Sequence, residues 1–542
     1  SKNSKNFPSQ SINLIKKKYN IDLKKIDFFV NSINPGVYFN KFNPIISSQK
    51  RHFSEHLISF PDNILKLHSN RDNLISTLTS QEFFFEGNSL KTHFVNHHDA
   101  HAANSFYQSE FDLALTFVFD LQGEIASSSV YICQNGNFDK IEQIDYPNSL
   151  GLLYASITEY LGFKANSDEW KVMAISNLIK TKKNKYYDIF RKNLINYNKE
   201  GHYKVNLDLF NGYYPSKPGL FNNNLIEILG EPINNSHNPT TKQILIAGAL
   251  QQVLEEVTIL KINHYSNKTG IKNICLSGGI FMNCLMNGKL ERKFKNLNFY
   301  VPFAPDDSGN SIGASLYLKN NIIKNKKKVI NLNNTFLGNF YSNNEILKLL
   351  KKYKLKFEKV KKIEQRTAEL LYEKKIIGWF QGNSEFGQRA LGNRSILANP
   401  LMKNVKNILN AVVKYRESFR PFAPAILEER FDDFFLTNSE TKVPYMEKIY
   451  FLKTKFKKKL KSICHTDGSA RVQTVSKSNN KLFYNLIFQF NKISEIPILI
   501  NTSFNIKGEP IVNSPEDAIK TFHVSGLDCL VIGNYIIKKN EK

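Results

Sequence analysis

Two histidines four residues apart, His97 and His101, are followed across a β-prone apolar run by Asp120 at the end of that run. At that spacing two side chains share one face of a helix, and a carboxylate at a strand end can close a metal site over them. Two imidazoles and one carboxylate with open positions form the ligand set of a non-haem Fe²⁺ or similar divalent centre, where substrate completes the coordination sphere. The plainer alternative is a solvated helix face. Further along, Asp306-Asp307-Ser308-Gly309 leads into the small-residue stretch Ile312-Gly313-Ala314. Asp307 is a candidate for one more ligand there, against the alternative that an Asp simply caps a helix N-terminus.

A second constellation is Leu276-Ser277-Gly278-Gly279-Ile280-Phe281-Met282-Asn283. A strand feeding two glycines and then a helix lets backbone N–H groups approach phosphate oxygens, with the helix N-terminus adding a favourable dipole. Asn283 and Asn287, four apart, offer amides from one helical face. A connecting turn is the structural alternative.

The third is the densest in charge. Segment 385–395 (EFGQRALGNRS) and segment 414–422 (KYRESFRPF) interleave five cations, Arg389, Arg394, Lys414, Arg416 and Arg420, with glycines and aromatics. Arginine forks grip phosphate bidentately, so this pattern suits a phosphate ester, and structural salt bridges are the alternative. His465-Thr466-Asp467-Gly468, Arg471 and Gln473 follow, then Asn501-Thr502-Ser503-Phe504-Asn505 after a strand-like run at 498–500. The last group sets hydroxyls and amides at a strand terminus, where ligands of α/β sheets tend to lie.

These residues need elements to hold them. The apolar run 113–119 reads as a buried strand, 149–161 as a helix, 244–265 as a long amphipathic helix and 274–276 as a short strand. The stretch 319–334 is rich in Lys and Asn and reads as a surface connection, which sets two domains at 1–340 and 341–542. The second restarts with helices at 345–352 and 364–374 and a strand at 376–380. Strands alternating with helices imply an α/β architecture, and 542 residues exceed what one core serves.

Net charge is +26, from 74 basic and 48 acidic side chains, but the lysines are scattered in short runs amid asparagine. Nucleic-acid footprints concentrate on one face, so the pattern speaks against such a partner. Five cysteines show no C-x2-C spacing, which fits a reducing cytoplasm rather than a disulfide framework or zinc knuckle. No apolar leader opens the chain and no apolar run is expected to reach membrane-spanning length, so it reads as unexported, with no membrane partner.

Taken together, NHHDAHAANSF, FDLQGE, SLGLLYASITEYLGFKANSDEWKVM, LSGGIFMNCLMNGKL, DDSGNSIGAS, GWFQGNSEFGQRALGNRSILANP, KYRESFRPFAP, HTDGSARVQTV and NTSFNIKGEPIV resemble the O-carbamoyltransferases of the nodulation, cephamycin and tobramycin type, in the family's order over nearly the whole chain. The resemblance implies an N-terminal domain of the actin-like ATPase (ASKHA) type, close to the tRNA threonylcarbamoyl-transferase fold, and a YrdC-like α/β C-terminal domain. It also implies the reaction: carbamoyl phosphate and ATP, with Mg²⁺, give carbamoyl-adenylate, and the carbamoyl group passes to a hydroxyl of a small molecule or sugar. Carried over residue by residue, it gives His97, His101, Asp120 and Asp307 as ligands of a divalent metal, with Fe²⁺ favoured by the mixed N/O set. Catalytic roles fall to His97, His101, Asp120, Lys414 and Arg416. Gly278, Gly279, Asn283, Glu169 and Lys171 take the nucleotide, and Arg389, Arg394, Lys414, Arg416, Arg420, Ser503 and Asn505 take carbamoyl phosphate.

The chain departs from the family pattern in three places. It is expected to lack the opening strand pair with its His-Asp-Ser-type segment. Leu121 stands where the family has glycine, and Ala174-Ile175-Ser176-Asn177 replaces an Ala-Pro-Tyr-Gly turn. Two other functions are carried beside the leading one: tRNA threonylcarbamoyl-adenosine synthesis, and a degenerate scaffold that binds nucleotide without transfer. A homo-oligomer is compatible with the sequence.

Overall fold

The computed structural model describes residues 9–34, 78–85, 88–178, 184–211, 218–233, 238–323, 334–414, 417, 420, 422–437 and 441–539. The chain forms two compact units, one within Phe7–Asn331 and one within Leu332–Lys542. Both are mixed α/β.

In the first unit, the strand Leu113–Phe119 lies at the centre of a five-stranded sheet. Its run LALTFVF is buried from Ala114 onward, as a strand covered on both faces must be. On one side it pairs antiparallel with Ala126–Gln134, which pairs antiparallel with Asn137–Asp145. On the other it pairs parallel with Asn273–Ser277, itself parallel to Asn298–Tyr300. A smaller sheet joins Phe29–Asn31, Asn88–Val95 and Leu78–Phe85, and Asn88–Val95 leads into the helix His97–Gln108.

That helix is not a solvated face. His97, His98 and His101 are 4%, 2% and 0% exposed. Its alanines let the helix Asn310–Tyr317 come so near that a Cβ on Gly313 would stand 1.9 Å from the Ala100 carbonyl oxygen. The glycine is what permits the contact, and the contact holds the histidine-bearing helix beside the segment that carries Asp307.

The long helix spans Thr241–Thr269, opened by a capping box between Thr240 and Gln243 and closed at Gly270, whose φ is 72°. This helix corrects the expectation about apolar runs, because it is long and apolar enough by length and composition to cross a membrane. Glu255 and Glu256 interrupt the run in the sequence and mask it. Two thirds of the apolar window, 67%, is buried inside the unit, so its hydropathy serves the core.

The second unit is built on an eight-stranded sheet: Glu358–Lys359, Tyr535–Lys538, Cys529–Ile532, Ile377–Phe380, Arg394–Ala398, Ile498–Ser503, Ala423–Leu427 and Gln473–Val475. Ile377–Phe380 runs parallel to Cys529–Ile532, and Ala423–Leu427 parallel to Gln473–Val475; the other pairs are antiparallel. Alternate residues feed two cores. Ile377, Trp379, Leu397 and Leu499 pack under the helices Ile363–Tyr372 and Lys481–Ser494, while Phe380, Ile396, Ile498 and Ile500 face the helices Asn343–Lys352 and Pro515–Val524. Residues 334–340, ahead of the boundary drawn from the sequence, bond within this unit: Phe386 N–H donates to Thr335 O and Ser384 N–H to Asn339 O.

Candidate functional site

His97 and His101 lie one turn apart on the His97–Gln108 helix, Asp120 follows the last residue of the central strand, and Asp307 begins a 3₁₀ turn ahead of Asn310–Tyr317. One donor atom from each of the four lies within 4.8 Å of all the others. His97 Nε2 is 3.0 Å from Asp120 Oδ2 and 3.3 Å from Asp307 Oδ1; for His101 Nε2 these distances are 3.3 and 3.4 Å. The two Nε2 atoms are 3.1 Å apart. Donor atoms ~2.1 Å from a common ion stand about 3.0 Å apart at right angles and about 3.4 Å apart at tetrahedral angles. The quartet therefore has the donor set and spacing to hold one divalent ion. Asp307, with a side chain 72% exposed, is its solvent edge.

The electrostatics match this grouping. Burial alone would lower the His97 pKa, but hydrogen bonds to Asp120 and Asp307 and their charges outweigh it and hold the pKa well above the usual histidine value. His101 shifts the same way, with burial again overcome by Asp120 and Asp307. Against the burial that would raise it, Asp120 is held well below the carboxylate range by the two imidazoles. His98, in the same turn, is pushed the other way by burial and by the charges of His97 and His101, and its Nδ1 faces Ser129 Oγ at 2.8 Å. The pair of histidines at the helix start is thus chemically unequal.

Glu124, outside the sequence assignment, anchors the site. Its carboxylate accepts the His97 N–H at 2.9 and 3.1 Å and the Asn34 N–H at 2.6 Å. Negative charge at the first N–H groups of a helix is favourable, and here it ties the helix of His97 to the loop of Asp120. Nothing local in the sequence marks this role beyond Glu124 closing the DLQGE segment.

Gly278, with φ of 97°, passes so close to the central strand that a Cβ would meet the Phe119 carbonyl oxygen at 2.2 Å. Its N–H donates to Pro305 O at 2.7 Å, and the Gly279 N–H to Asp120 Oδ1 at 3.2 Å. In this conformation the glycine turn braces the Asp120 carboxylate. Asn283 caps the helix Cys284–Lys293, accepting from Met286 N–H at 3.0 Å and donating to Gln251 Oε1 at 2.7 Å. Glu169 opens the helix Glu169–Ser176; burial raises its pKa and it accepts the Asn166 N–H at 2.5 Å. Lys171 pairs with Asp168 at 3.0 Å and faces the Phe163 and Trp170 rings. Tyr154 links these elements: its hydroxyl reaches Gln251 at 3.4 Å, and burial together with the Glu169 and Glu255 charges raises its pKa.

In the second unit the structure brings Lys414, Ser503 and Asn505 together. The buried Lys414 Nζ donates to the Ser503 carbonyl and, at 3.2, 2.9 and 2.8 Å, to Ser503 Oγ, Asn505 O and Asn505 Oδ1. Arg420 lies 3.3 Å from the buried Glu417 carboxylate. Arg389 is half-buried in the loop that precedes Arg394–Ala398. Arg416 lies outside the described residues. Arg394 is fully buried, stacked 3.7 Å from the Phe380 ring, and its guanidinium donates to the carbonyls of Gln381, Asn393, Asn339 and Gly382 at 2.5 to 3.2 Å. It holds a turn. Glu385 shapes the same loop by accepting the N–H groups of Leu391, Asn393 and Arg394 at 2.8, 2.8 and 3.1 Å.

Residues 1–316 match the carbamoyltransferase N-terminal family model and residues 368–539 the C-terminal one. Nodulation protein NolNO of Sinorhizobium fredii is 35% identical over 86% of this chain and 67% of its own length. Nodulation protein NolO of Bradyrhizobium diazoefficiens is 34% identical over 82% of this chain and 79% of its own. An uncharacterized protein of Synechocystis sp. is 32% identical across 99% of this chain and 91% of its own. Among solved structures, HypF of T. kodakarensis aligns with 44% of this chain and 37% of that one at 14% identity and a TM-score of 0.25. With both family models matched in order along the chain, and relatives above 30% identity over most of their lengths, this protein belongs to the carbamoyltransferase family and is a transferase.

Proposed function

We propose that the chain is an ATP-dependent O-carbamoyltransferase that uses carbamoyl phosphate, through carbamoyl-adenylate, to carbamoylate a hydroxyl of a small-molecule or carbohydrate acceptor. The observation that carries this reading is the convergence of His97, His101, Asp120 and Asp307 on one point within a carbamoyltransferase. A divalent ion held there, Fe²⁺ by preference, would supply a Lewis acid for the carbamoyl carbonyl. The chain's own part is geometric. Glu124 and the glycine turn fix the His97 backbone and the Asp120 carboxylate, and burial keeps bulk water from three of the four side chains.

Adenylation is assigned to the second unit. Water adds to the carbonyl carbon of carbamoyl phosphate and phosphate leaves, giving carbamate; a carbamate oxygen then bonds to the α-phosphorus of Mg²⁺-bound ATP and pyrophosphate leaves. The acceptor oxygen then bonds to the carbamoyl carbon while its proton is taken up and AMP departs. Lys414, beside Ser503 and Asn505, supports a YrdC-like reading of this unit, with Arg389, Arg416 and Arg420 as anion contacts. An actin-like reading of the first rests on the family resemblance, and its mixed five-stranded sheet, a three-strand antiparallel meander extended by two parallel strands, is compatible with it. Gly278, Gly279, Asn283, Glu169 and Lys171 are retained as the nucleotide-side residues of that unit.

The test is pyrophosphate release by the purified chain with ATP, Mg²⁺ and carbamoyl phosphate. Release that requires carbamoyl phosphate, and falls at least tenfold in Lys414→Met, supports adenylation in the second unit. A folded chain that releases none argues against it.

A further inference from the structure

Ser277 was grouped by its sequence with a phosphate turn, yet its side chain does something else. It ends the strand Asn273–Ser277 and is fully buried. Its Oγ lies 3.3 Å from the Pro305 carbonyl oxygen and 3.3 Å from His101 Nδ1. The Ser277 hydroxyl is placed to donate to the Pro305 carbonyl, whose second lone pair takes the Gly278 N–H, and Oγ then turns its lone pairs toward the ring. In that arrangement Nδ1 of His101 carries the proton. In the neutral imidazole that leaves the lone pair on Nε2, the atom facing Asp120 and Asp307.

We propose that Ser277 is a positioning residue that fixes the tautomer of His101, holding its Nε2 lone pair toward the point shared by His97, Asp120 and Asp307. The proposal rests on the metal reading given above for its purpose, but not for its geometry. Gly278 makes it work: with φ of 97° and a backbone against Phe119, it turns the chain sharply after Ser277, and its own N–H bonds the same Pro305 carbonyl at 2.7 Å. Pro305 thereby orients both the serine and the turn that braces Asp120. Outer hydrogen bonds of this kind set ring orientation and ligand basicity, and their loss commonly lowers metal affinity by about 10- to 100-fold.

Two readouts test it on the full chain. The first is the ring ¹⁵N shifts of His101 in metal-free, ¹⁵N-histidine-labelled protein in alkaline solution, assigned with His101→Gln. A protonated Nδ1 that becomes mixed or Nε2-protonated in Ser277→Ala, and is restored in Ser277→Thr, supports the proposal; a protonated Nε2 in the unsubstituted chain overturns it. The second is Co²⁺ binding followed by its visible spectrum. Ser277→Ala is expected to bind about tenfold or more weakly and Ser277→Thr near the unsubstituted level, with unchanged thermal unfolding of the metal-free forms. Equal Co²⁺ affinity in folded Ser277→Ala overturns the positioning role. A chain that binds no Co²⁺ at all, yet shows the protonated Nδ1, overturns the metal reading and leaves the tautomer assignment standing.

Discussion

Glu124 grips the His97 backbone N–H with both carboxylate oxygens, at 2.9 and 3.1 Å, from a loop that also carries Asp120. A carboxylate four positions from Asp120 thereby sets the start of the helix that bears His97 and His101. In Glu124→Gln one acceptor oxygen becomes an amide donor facing buried N–H groups. Unfolding free energy of the metal-free chain is expected to fall by about 1–3 kcal/mol, read as a lower urea midpoint, and Co²⁺ affinity to fall with it. An unchanged midpoint would show that His97 is positioned without Glu124.

Metal affinity should rise with pH. The His97 and His101 pKa values are raised in the folded chain by Asp120 and Asp307, against burial. Their protonated forms therefore stabilise the metal-free fold fully below about pH 6.5, and that contribution is lost as pH climbs through the folded values. An ion must displace those protons, so Co²⁺ binding strengthens as pH rises toward the raised folded values and levels off above them. Titrations at several pH values giving one affinity would contradict this.

Arg394→Lys tests what the buried arginine is for. Lysine cannot reach the four carbonyls that the guanidinium joins or stack flat on Phe380. Burial already draws the Arg394 pKa down to about 10. The variant is expected to lose about 3 kcal/mol or more of stability, with KM for carbamoyl phosphate nearly unchanged in whatever remains folded. Full stability with a raised KM would instead make Arg394 an anion contact.

His465 gives the second unit an acid limit. Burial, with Arg471 and Lys406 adding to it and Asp467 opposing, lowers its pKa to about 4. The ring stays neutral in the fold while the unfolded chain takes up a proton below about pH 6.5, so stability declines as pH falls from there toward 4. The decline attributable to this group is about 2 kcal/mol, and His465→Gln should lose correspondingly less between the two pH values. Parallel stability profiles for the two proteins would exclude it.

Much of the grouping of His97, His101, Asp120 and Asp307 was legible because spacing along one helix and a position at a strand end are local properties. His97 and His101 share a helical face, and Asp120 follows a strand running from Leu113 to Phe119, the range its apolar run indicates. Lys414, Ser503 and Asn505 were grouped through family motifs and lie within hydrogen-bonding reach. What stayed hidden depends on the fold. The Gly278 and Gly279 N–H groups donate to Pro305 and Asp120, bonds that no local pattern marks. Arg394 looks like an anion contact until the turn around it supplies four carbonyls. Ser277 and Glu124 act on residues 176 and 27 positions away, beyond any local pattern.

The central claim is that the quartet serves transfer and the second unit serves adenylation. Its most direct test is Asp120→Asn, assayed side by side for pyrophosphate release and for carbamoyl transfer from ¹⁴C-carbamoyl phosphate to hydroxyl acceptors, water included. Pyrophosphate release is expected within about threefold of the unsubstituted chain and transfer reduced at least 100-fold. Transfer that survives in Asp120→Asn, or pyrophosphate release that disappears in a folded variant along with it, would contradict the claim.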